Sequence, residues 1–163
     1  MLIHLKNKDT LIINDFKIKC CIGKKGITRH KFEGDKSTPK GIFNIRRFYY
    51  RKDRIKKPIS NLKSKIIKKN MAWCDDPKHK SYNKEIKIKK SVHYEKLFRK
   101  DHKYDYLLVI DYNTIKTIPY KGSAIFIHLT KNYKPTAGCI AVTKKDFEVL
   151  LKLINNKTKI KIS

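Results

Sequence analysis

The hydrophobic positions of this chain alternate with polar ones, or form short runs, over most of its length. Residues 2–22 contain three such stretches separated by turn signals, and this pattern predicts an up-and-down meander of strands. Further strands are predicted over residues 42–50 and 104–112, which are rich in Ile, Leu, Phe and Tyr. The Lys-Ile pattern of residues 159–162 predicts a final strand at an edge of the sheet.

Helical patterns are confined to two short segments. Residues 144–155 place apolar side chains at helical spacing, and Thr143 stands before them as an N-cap candidate. A short helix is also expected over residues 92–99. The very basic residues 51–70 have little pattern and are expected to form a surface excursion. The chain is therefore predicted to be a single domain over residues 1–163, mainly β, with one or two helices.

Two apolar runs near the end of the chain are joined by a short loop that contains Pro135, and this arrangement predicts a hairpin of neighbouring strands. His128 lies in the first run, and Cys139, preceded by Gly138, begins the second. A hairpin would bring the two side chains together. An imidazole can take the proton of a neighbouring thiol, which is the minimum requirement for catalysis by a cysteine nucleophile.

The Cys–His pair alone is a weak signal, because four cysteines and six histidines make chance pairs common and a buried cysteine is usually inert. The remaining cysteines, Cys20, Cys21 and Cys74, form no C-x-x-C pair and no cluster with zinc-finger spacing. No metal site, no cofactor and no disulfide framework is predicted.

The formal charge of +27 indicates either a nucleic-acid or other anionic partner, or a compositional bias. Arg supplies only six of the 41 basic residues, and the Lys residues are spread along the whole chain together with many Ile and Asn. We therefore favour a solvated basic surface, with binding to nucleic acid or another polyanion kept as an alternative. The chain has no apolar run of 18 residues, so no membrane span is expected.

Several segments resemble the L,D-transpeptidases, the YkuD-like domain of bacterial cell-wall enzymes. Residues 122–128 (Gly-Ser-Ala-Ile-Phe-Ile-His) and 135–141 (Pro-Thr-Ala-Gly-Cys-Ile-Ala) are similar to the family's catalytic segment, a His followed by Ser/Thr-x-Gly-Cys. Residues 33–43 are similar to its Gly-Asp-x-x-Thr-Pro-x-Gly-x-Phe segment. Residues 73–83 and 95–105 resemble one branch, to which the Thr-Ala-Gly-Cys form also points. The likeness covers most of the chain.

The resemblance implies a β-sandwich-like L,D-transpeptidase fold with the active site at a sheet edge. Cys139 would be the nucleophile, and His128 would be the general base and then the acid that protonates the leaving amine. The backbone carbonyl of Leu129 would orient the imidazole. The backbone N–H groups of Gly138 and Cys139 would be the oxyanion donors.

The substrate implied by the resemblance is the tetrapeptide stem of peptidoglycan. The thiol would attack the carbonyl of its L-configured centre, release D-Ala and pass the acyl group to an amine of another stem. With water as the acceptor, the same site would act as an L,D-carboxypeptidase or endopeptidase. The family implies a periplasmic or cell-envelope location. No secretory leader is recognised in the sequence, so a cytoplasmic location stays open.

Substrate contacts are expected from Thr136, Arg99, Lys24, Trp73 and Tyr82. The sequence departs from many relatives in having alanine where they place a histidine two residues before the nucleophile, and in lacking their arginine shortly after it. The charge that would hold a substrate carboxylate is therefore expected from Arg99, Lys24 or Lys25.

Overall fold

The computed structural model describes the backbone of residues 1–163 and every side chain except that of Arg46. Within this description the chain forms fourteen strands and one helix. In chain order they are β1 (Leu2–Lys6), β2 (Thr10–Ile13), β3 (Phe16–Lys19), β4 (Ile27–Thr28), β5 (Thr38–Pro39), β6 (Gly41–Tyr50), β7 (Ser64–Ile66), β8 (Met71–Cys74), β9 (Glu85–Lys87), β10 (Tyr94–Lys96), β11 (Tyr106–Ile110), β12 (Phe126–Leu129), β13 (Ile140–Val142), α1 (Lys144–Leu153) and β14 (Lys159–Ile162).

The main sheet has the strand order β13-β12-β11-β6-β14-β1-β2-β3, with β7 paired to β6. Just after β3, Cys21 exchanges two backbone hydrogen bonds with Ala141 of β13, at 2.9 and 2.8 Å. This contact joins the two ends of the strand path, so the sheet closes into a barrel-like sandwich. The mainly β architecture predicted from the sequence is confirmed.

The N-terminal meander is confirmed, since β1, β2 and β3 pair in antiparallel order. The prediction that the last strand lies at an edge is wrong. Strand β14 lies inside the sheet, parallel to β1 and antiparallel to β6. Its Lys-Ile alternation fixes which face is buried, but it carries no information about the number of neighbouring strands.

The predicted hairpin of His128 and Cys139 is also wrong, because β12 and β13 are neighbours in parallel register. The connection between them contains two consecutive residues in left-handed backbone conformation, Asn132 and Tyr133, with φ of 53° and 52°. These residues help the loop turn the chain back to the start of the neighbouring strand. Both strands are buried throughout, as expected for parallel strands covered on both faces.

The helix expected over residues 92–99 is absent from the described chain. Its centre forms β10, which pairs with the fully buried β8 in a separate three-stranded sheet with β9. Pairing to this buried strand outweighs a weak local helical preference. The helix after Thr143 is confirmed as α1, and the Thr143 hydroxyl accepts a hydrogen bond from the Asp146 N–H at 3.2 Å.

Two apolar clusters pack on opposite faces of the main sheet. The larger cluster fills the closed interior, where α1 contributes Phe147, Leu150 and Leu151. The smaller cluster lies between the main sheet and the three-stranded sheet and contains Trp73, Tyr104, Phe126 and Cys139. The predicted excursion over residues 51–70 is mostly irregular and contains only β7. No helix described here is long and apolar enough to cross a membrane.

Candidate active site

Cys139 immediately precedes β13, and its side chain is buried. The thiol donates a hydrogen bond to the carbonyl oxygen of Ala124 at 3.2 Å, and its sulfur accepts one from the Phe126 N–H at 3.4 Å. Burial, followed by the negative charge of Glu95, raises the pKa of the Cys139 thiol to about 12. The resting side chain is therefore a protonated thiol.

His128 lies on β12 and is also buried. Its Nδ1 is 2.9 Å from the carbonyl oxygen of Leu129. Because a carbonyl only accepts, Nδ1 carries the proton and Nε2 is left as a proton acceptor. Burial lowers the pKa of His128 to about 4, so the imidazole is neutral near pH 7. The ring of Tyr104 packs against it, with 5.3 Å between ring centroids.

The parallel register brings Cys139 and His128 to one face of the sheet. It pairs His128 with Ala141, two residues after Cys139, so the two side chains are diagonal neighbours. Both line a cavity of about 380 Å³. Among the described side chains no hydrogen bond joins the thiol to the imidazole, because the thiol is directed at Ala124. The thiol must give up the hydrogen bond to Ala124 before it can donate to Nε2.

The loop before the nucleophile is held by hydroxyl groups. Thr136 Oγ1 donates to the Cys139 carbonyl at 2.5 Å and accepts from the Gly138 N–H at 3.1 Å. Thr38 Oγ1 donates to the Gly138 carbonyl at 2.9 Å. Gly138 has a φ of 143°, and a Cβ there would lie 2.9 Å from the carbonyl oxygen of Ser37. Only glycine fits this approach, and the Cys139 N–H has no hydrogen-bond partner among the described residues.

The segment before β5 folds around the carboxylate of Asp35. This carboxylate accepts from Lys31 Nζ at 2.5 Å, from the Ser37 N–H at 2.9 Å and from the Phe32 N–H at 3.1 Å. The side chains of Lys31 and Asp35 are 4% and 3% exposed, so this ion pair is nearly dehydrated. The ion pair stabilises the chain just before Thr38, whose hydroxyl donates to the Gly138 carbonyl.

Ala124 supplies the carbonyl that accepts the Cys139 thiol, and it has left-handed backbone geometry with a φ of 52°. The amide group of Asn83 stabilises this conformation. Its Oδ1 accepts from the Ala124 N–H at 3.0 Å and from Trp73 Nε1 at 2.9 Å. Its NH₂ group donates to two backbone carbonyls of the loop after β11, at 2.9 and 2.8 Å. Asn83 thus fixes the peptide that positions the nucleophile.

Glu33 brings a carboxylate to the wall of the cavity. Tyr82 donates a hydrogen bond to it, and Ser123 Oγ donates another at 2.8 Å. The Tyr82 hydroxyl also accepts from the Gly122 N–H at 3.0 Å. These contacts hold Glu33 against the chain that leads into β12.

A second carboxylate, Glu95, lines the same cavity as Cys139. Tyr104 donates a hydrogen bond to it, and burial raises the pKa of Glu95. Arg99 lies 3.8 Å from Glu95, but it binds Asp101 more closely, through two hydrogen bonds of 2.9 and 2.8 Å. Arg99 lines the cavity as a cation that is already paired.

The residues predicted to contact substrate fall into two groups, those that line the cavity and those that do not. Thr136 and Arg99 line the cavity, but Trp73, Tyr82 and Lys24 do not. Trp73 is fully buried and Tyr82 is 3% exposed, so both support the wall from behind. Lys24 contacts the loop only through its N–H, which donates to the Thr136 carbonyl at 2.9 Å. None of these three residues lines the cavity, and their contact with substrate stays a prediction.

The sequence interpretation missed four residues of the site: Thr38, Asn83, Tyr104 and Lys103. Thr38 and Asn83 lie within recognised motifs, but turn chemistry alone gave no reason to connect them to Gly138 and Ala124. Tyr104 lies in the segment 95–105 that resembles the family, but the resemblance gave it no role, and Lys103 had no signal of its own. Among the described side chains, no three His, Cys, Asp or Glu residues form a group that could hold a metal ion.

A closed, mainly β sheet with a cysteine and a histidine at one cavity has the arrangement of a candidate thiol acyltransferase. Residues 2–162 match the family model described as YkuD, the L,D-transpeptidase catalytic domain. Because the match spans nearly the whole chain, the protein belongs to the L,D-transpeptidase catalytic-domain family. Neither a curated protein nor a solved structure was found to match the chain.

Proposed function

We propose that this protein is a cysteine-dependent L,D-transpeptidase that acts on peptidoglycan stem peptides, with Cys139 as the nucleophile and His128 as the proton-transfer group. The observation that carries the proposal is the placement of both side chains at one cavity of about 380 Å³, together with the hydrogen bond that leaves Nε2 of His128 unprotonated. Family membership supports acyl transfer as the reaction class.

The reaction starts from a neutral pair, since the pKa of Cys139 is about 12 and that of His128 about 4. A preformed thiolate is therefore not the resting state. As the thiol sulfur attacks the substrate carbonyl, its proton passes to Nε2 of His128. The carbonyl of Leu129, which already accepts from Nδ1, stabilises the imidazolium that forms.

The tetrahedral oxyanion needs donors near Cys139. The Cys139 N–H is unpartnered among the described residues, whereas the Gly138 N–H is bound to Thr136. We therefore assign the first oxyanion contact to Cys139, and Gly138 contributes if Thr136 releases its N–H.

Collapse of this intermediate breaks the bond to the leaving amine, which takes the proton from Nε2 of His128. The acyl group then remains on Cys139 as a thioester. An acceptor amine attacks the thioester, His128 takes its proton, and the sulfur leaves as the thiol. The cell envelope is the proposed location, because that is where peptidoglycan lies.

Mass spectrometry of the intact protein tests this proposal after exposure to a carbapenem and to a tetrapeptide stem. We expect a covalent adduct on the wild type that is lost in Cys139→Ala. Cys21→Ala is the matched control, since Cys21 is a half-exposed thiol outside the cavity, and it should retain the adduct. A folded wild type that forms no adduct would refute thiol acylation.

Product analysis separates transfer from hydrolysis. The tetrapeptide is incubated with and without an acceptor stem that carries a free amine. Transfer predicts a cross-linked product that depends on the acceptor. Release of tripeptide alone, at an equal rate in both samples, would instead identify a carboxypeptidase with the same site.

A further inference from the structure

One wall of the cavity carries positive charge that the protein does not neutralise. Lys131 and Lys134 extend from the loop that follows β12, and Lys103 lies just before β11. Among the described side chains, none of these three lysines forms an ion pair or a side-chain hydrogen bond. Of the three other Lys and Arg residues that line the cavity, Lys31 and Arg99 are bound to carboxylates, and Lys36 is exposed.

Lys103 is the most constrained of the three unpaired lysines. It is half-buried, whereas Lys131 and Lys134 are exposed. Its carbonyl accepts from the Leu129 N–H at 2.9 Å, and its own N–H donates to Asp101 at 3.2 Å. The backbone of Lys103 is thus fixed to the same residue that orients the imidazole.

The positive charge of Lys103 acts on His128 and on a neighbouring thiol. It lowers the pKa of His128, although burial contributes more to that shift, and it also acts on the Cys21 thiol. Cys21, Ala141 and His128 are consecutive partners across the sheet. Ala141, which lies between the other two in this register, has a methyl side chain and lines the cavity.

The chemistry of the leaving group matches this placement. His128 protonates the amine that leaves, and in a C-terminal amino acid that nitrogen and the carboxylate carbon share one Cα, about 2.5 Å apart. A cation beside His128 therefore lies beside the carboxylate of a departing C-terminal residue. An amide or an extended peptide would bring no charge to this position.

We propose that Lys103 binds the free C-terminal carboxylate of the amino acid that leaves, and so restricts the donor to stem peptides that end at the residue being released. This inference rests on the proposed function and deepens it. Lys131 and Lys134 add a weaker contribution, because exposed charges are better screened by water and salt.

The test compares a tetrapeptide stem ending in D-Ala as the free acid with the same peptide as its C-terminal carboxamide. The measured quantity is kcat/KM for release of D-Ala or D-alaninamide. We expect the wild type to prefer the free acid at least tenfold. Lys103→Gln should lower kcat/KM for the acid about tenfold, mainly through KM, and leave the amide unchanged, because a charge-assisted hydrogen bond is lost. Lys103→Arg should restore most of the preference.

Lys145→Gln is the matched control for loss of one positive charge. Lys145 is exposed on α1, which packs against the opposite face of the sheet, and both substrates should react with it as with the wild type. An unchanged acid-to-amide ratio in Lys103→Gln would overturn the inference while leaving the proposed function intact. If neither peptide nor a carbapenem acylates Cys139 in the wild type, both fail together.

Discussion

Lowering the pH from 8 to 5 should destabilise this protein through His128. The imidazole is buried and its pKa falls from 6.5 to about 4, with burial as the main cause. Between these two values the unfolded chain binds a proton that the folded chain does not. The unfolding free energy therefore rises with pH in this window. The contribution of the neutral His128 is fully present above pH 6.5 and is lost progressively as the pH falls toward 4.

The magnitude follows from the two pKa values. At pH 8 the residue is neutral in both states and contributes no pH dependence. At pH 5 the unfolded imidazole is almost fully protonated while the folded one stays mostly neutral, which costs about 2 kcal/mol of unfolding free energy. Well below pH 4 the loss approaches about 3 kcal/mol. This is a large share of the stability of an ordinary domain, which is about 5–15 kcal/mol.

Urea unfolding of the wild type and His128→Gln at pH 8 and pH 5 measures this effect. The substitution also removes the hydrogen bond to Leu129, but that loss is present at both pH values and cancels in the difference. The carboxylates titrate in both proteins and cancel as well. We expect the wild type to lose about 2 kcal/mol more than the variant between pH 8 and pH 5. Equal losses would show that the folded imidazole is not held neutral, and the reasoning would be refuted.

Three further predictions concern the residues that hold the nucleophile. Gly138→Ala should lower the unfolding free energy by at least about 2 kcal/mol and abolish acylation, because its Cβ would meet the Ser37 carbonyl at 2.9 Å. Ala137→Gly, on the exposed neighbour, should have neither effect. Thermal melting measures the stability, and adduct formation measures the acylation. Thr38→Val should cost about 2 kcal/mol and slow acylation, since it removes the hydrogen bonds to the Gly23 N–H and the Gly138 carbonyl, and Thr38→Ser should retain most of both properties in the same assays. Asn83→Ala removes four hydrogen bonds, one buried and three partly buried, and should cost about 3 kcal/mol in urea unfolding; a loss below about 1 kcal/mol would contradict the role assigned to its amide.

The strands of the main sheet, except β7, were predictable from sequence, but their neighbours were not, and the strands of the smaller sheets were not predicted. Local alternation located β1 to β3, and helical spacing located α1. The predicted antiparallel direction of β13 relative to β12 was wrong, because a Pro-containing loop between two apolar runs is compatible with more than one pairing. The two runs are nearly continuously apolar, which is typical of parallel strands buried on both faces, and the hairpin interpretation did not use this signal.

The residues of the candidate site also differ in whether the sequence alone could identify them. Cys139, His128 and Gly138 stand out because they lie in one short segment and resemble a family motif. Asn83 and Thr38 act on that segment from 41 and 100 residues away in sequence, through single side-chain hydrogen bonds. A spacing argument cannot reveal such contacts, since they exist only once the two sheets have packed.

The protonation state of the Cys139 thiol depends on nearby groups more than on the net charge of +27. So large a positive charge would by itself favour a thiolate, but exposed charges beyond about 8–10 Å are screened in physiological salt. The nearby cations Lys31 and Arg99 do lower the pKa of Cys139, yet each is bound to a carboxylate. Burial and the charge of Glu95 outweigh them. In the proposed mechanism, activation therefore comes from His128 at the moment of attack, and the reactivity of Cys139 is expected to depend on a bound substrate more than on the basic surface.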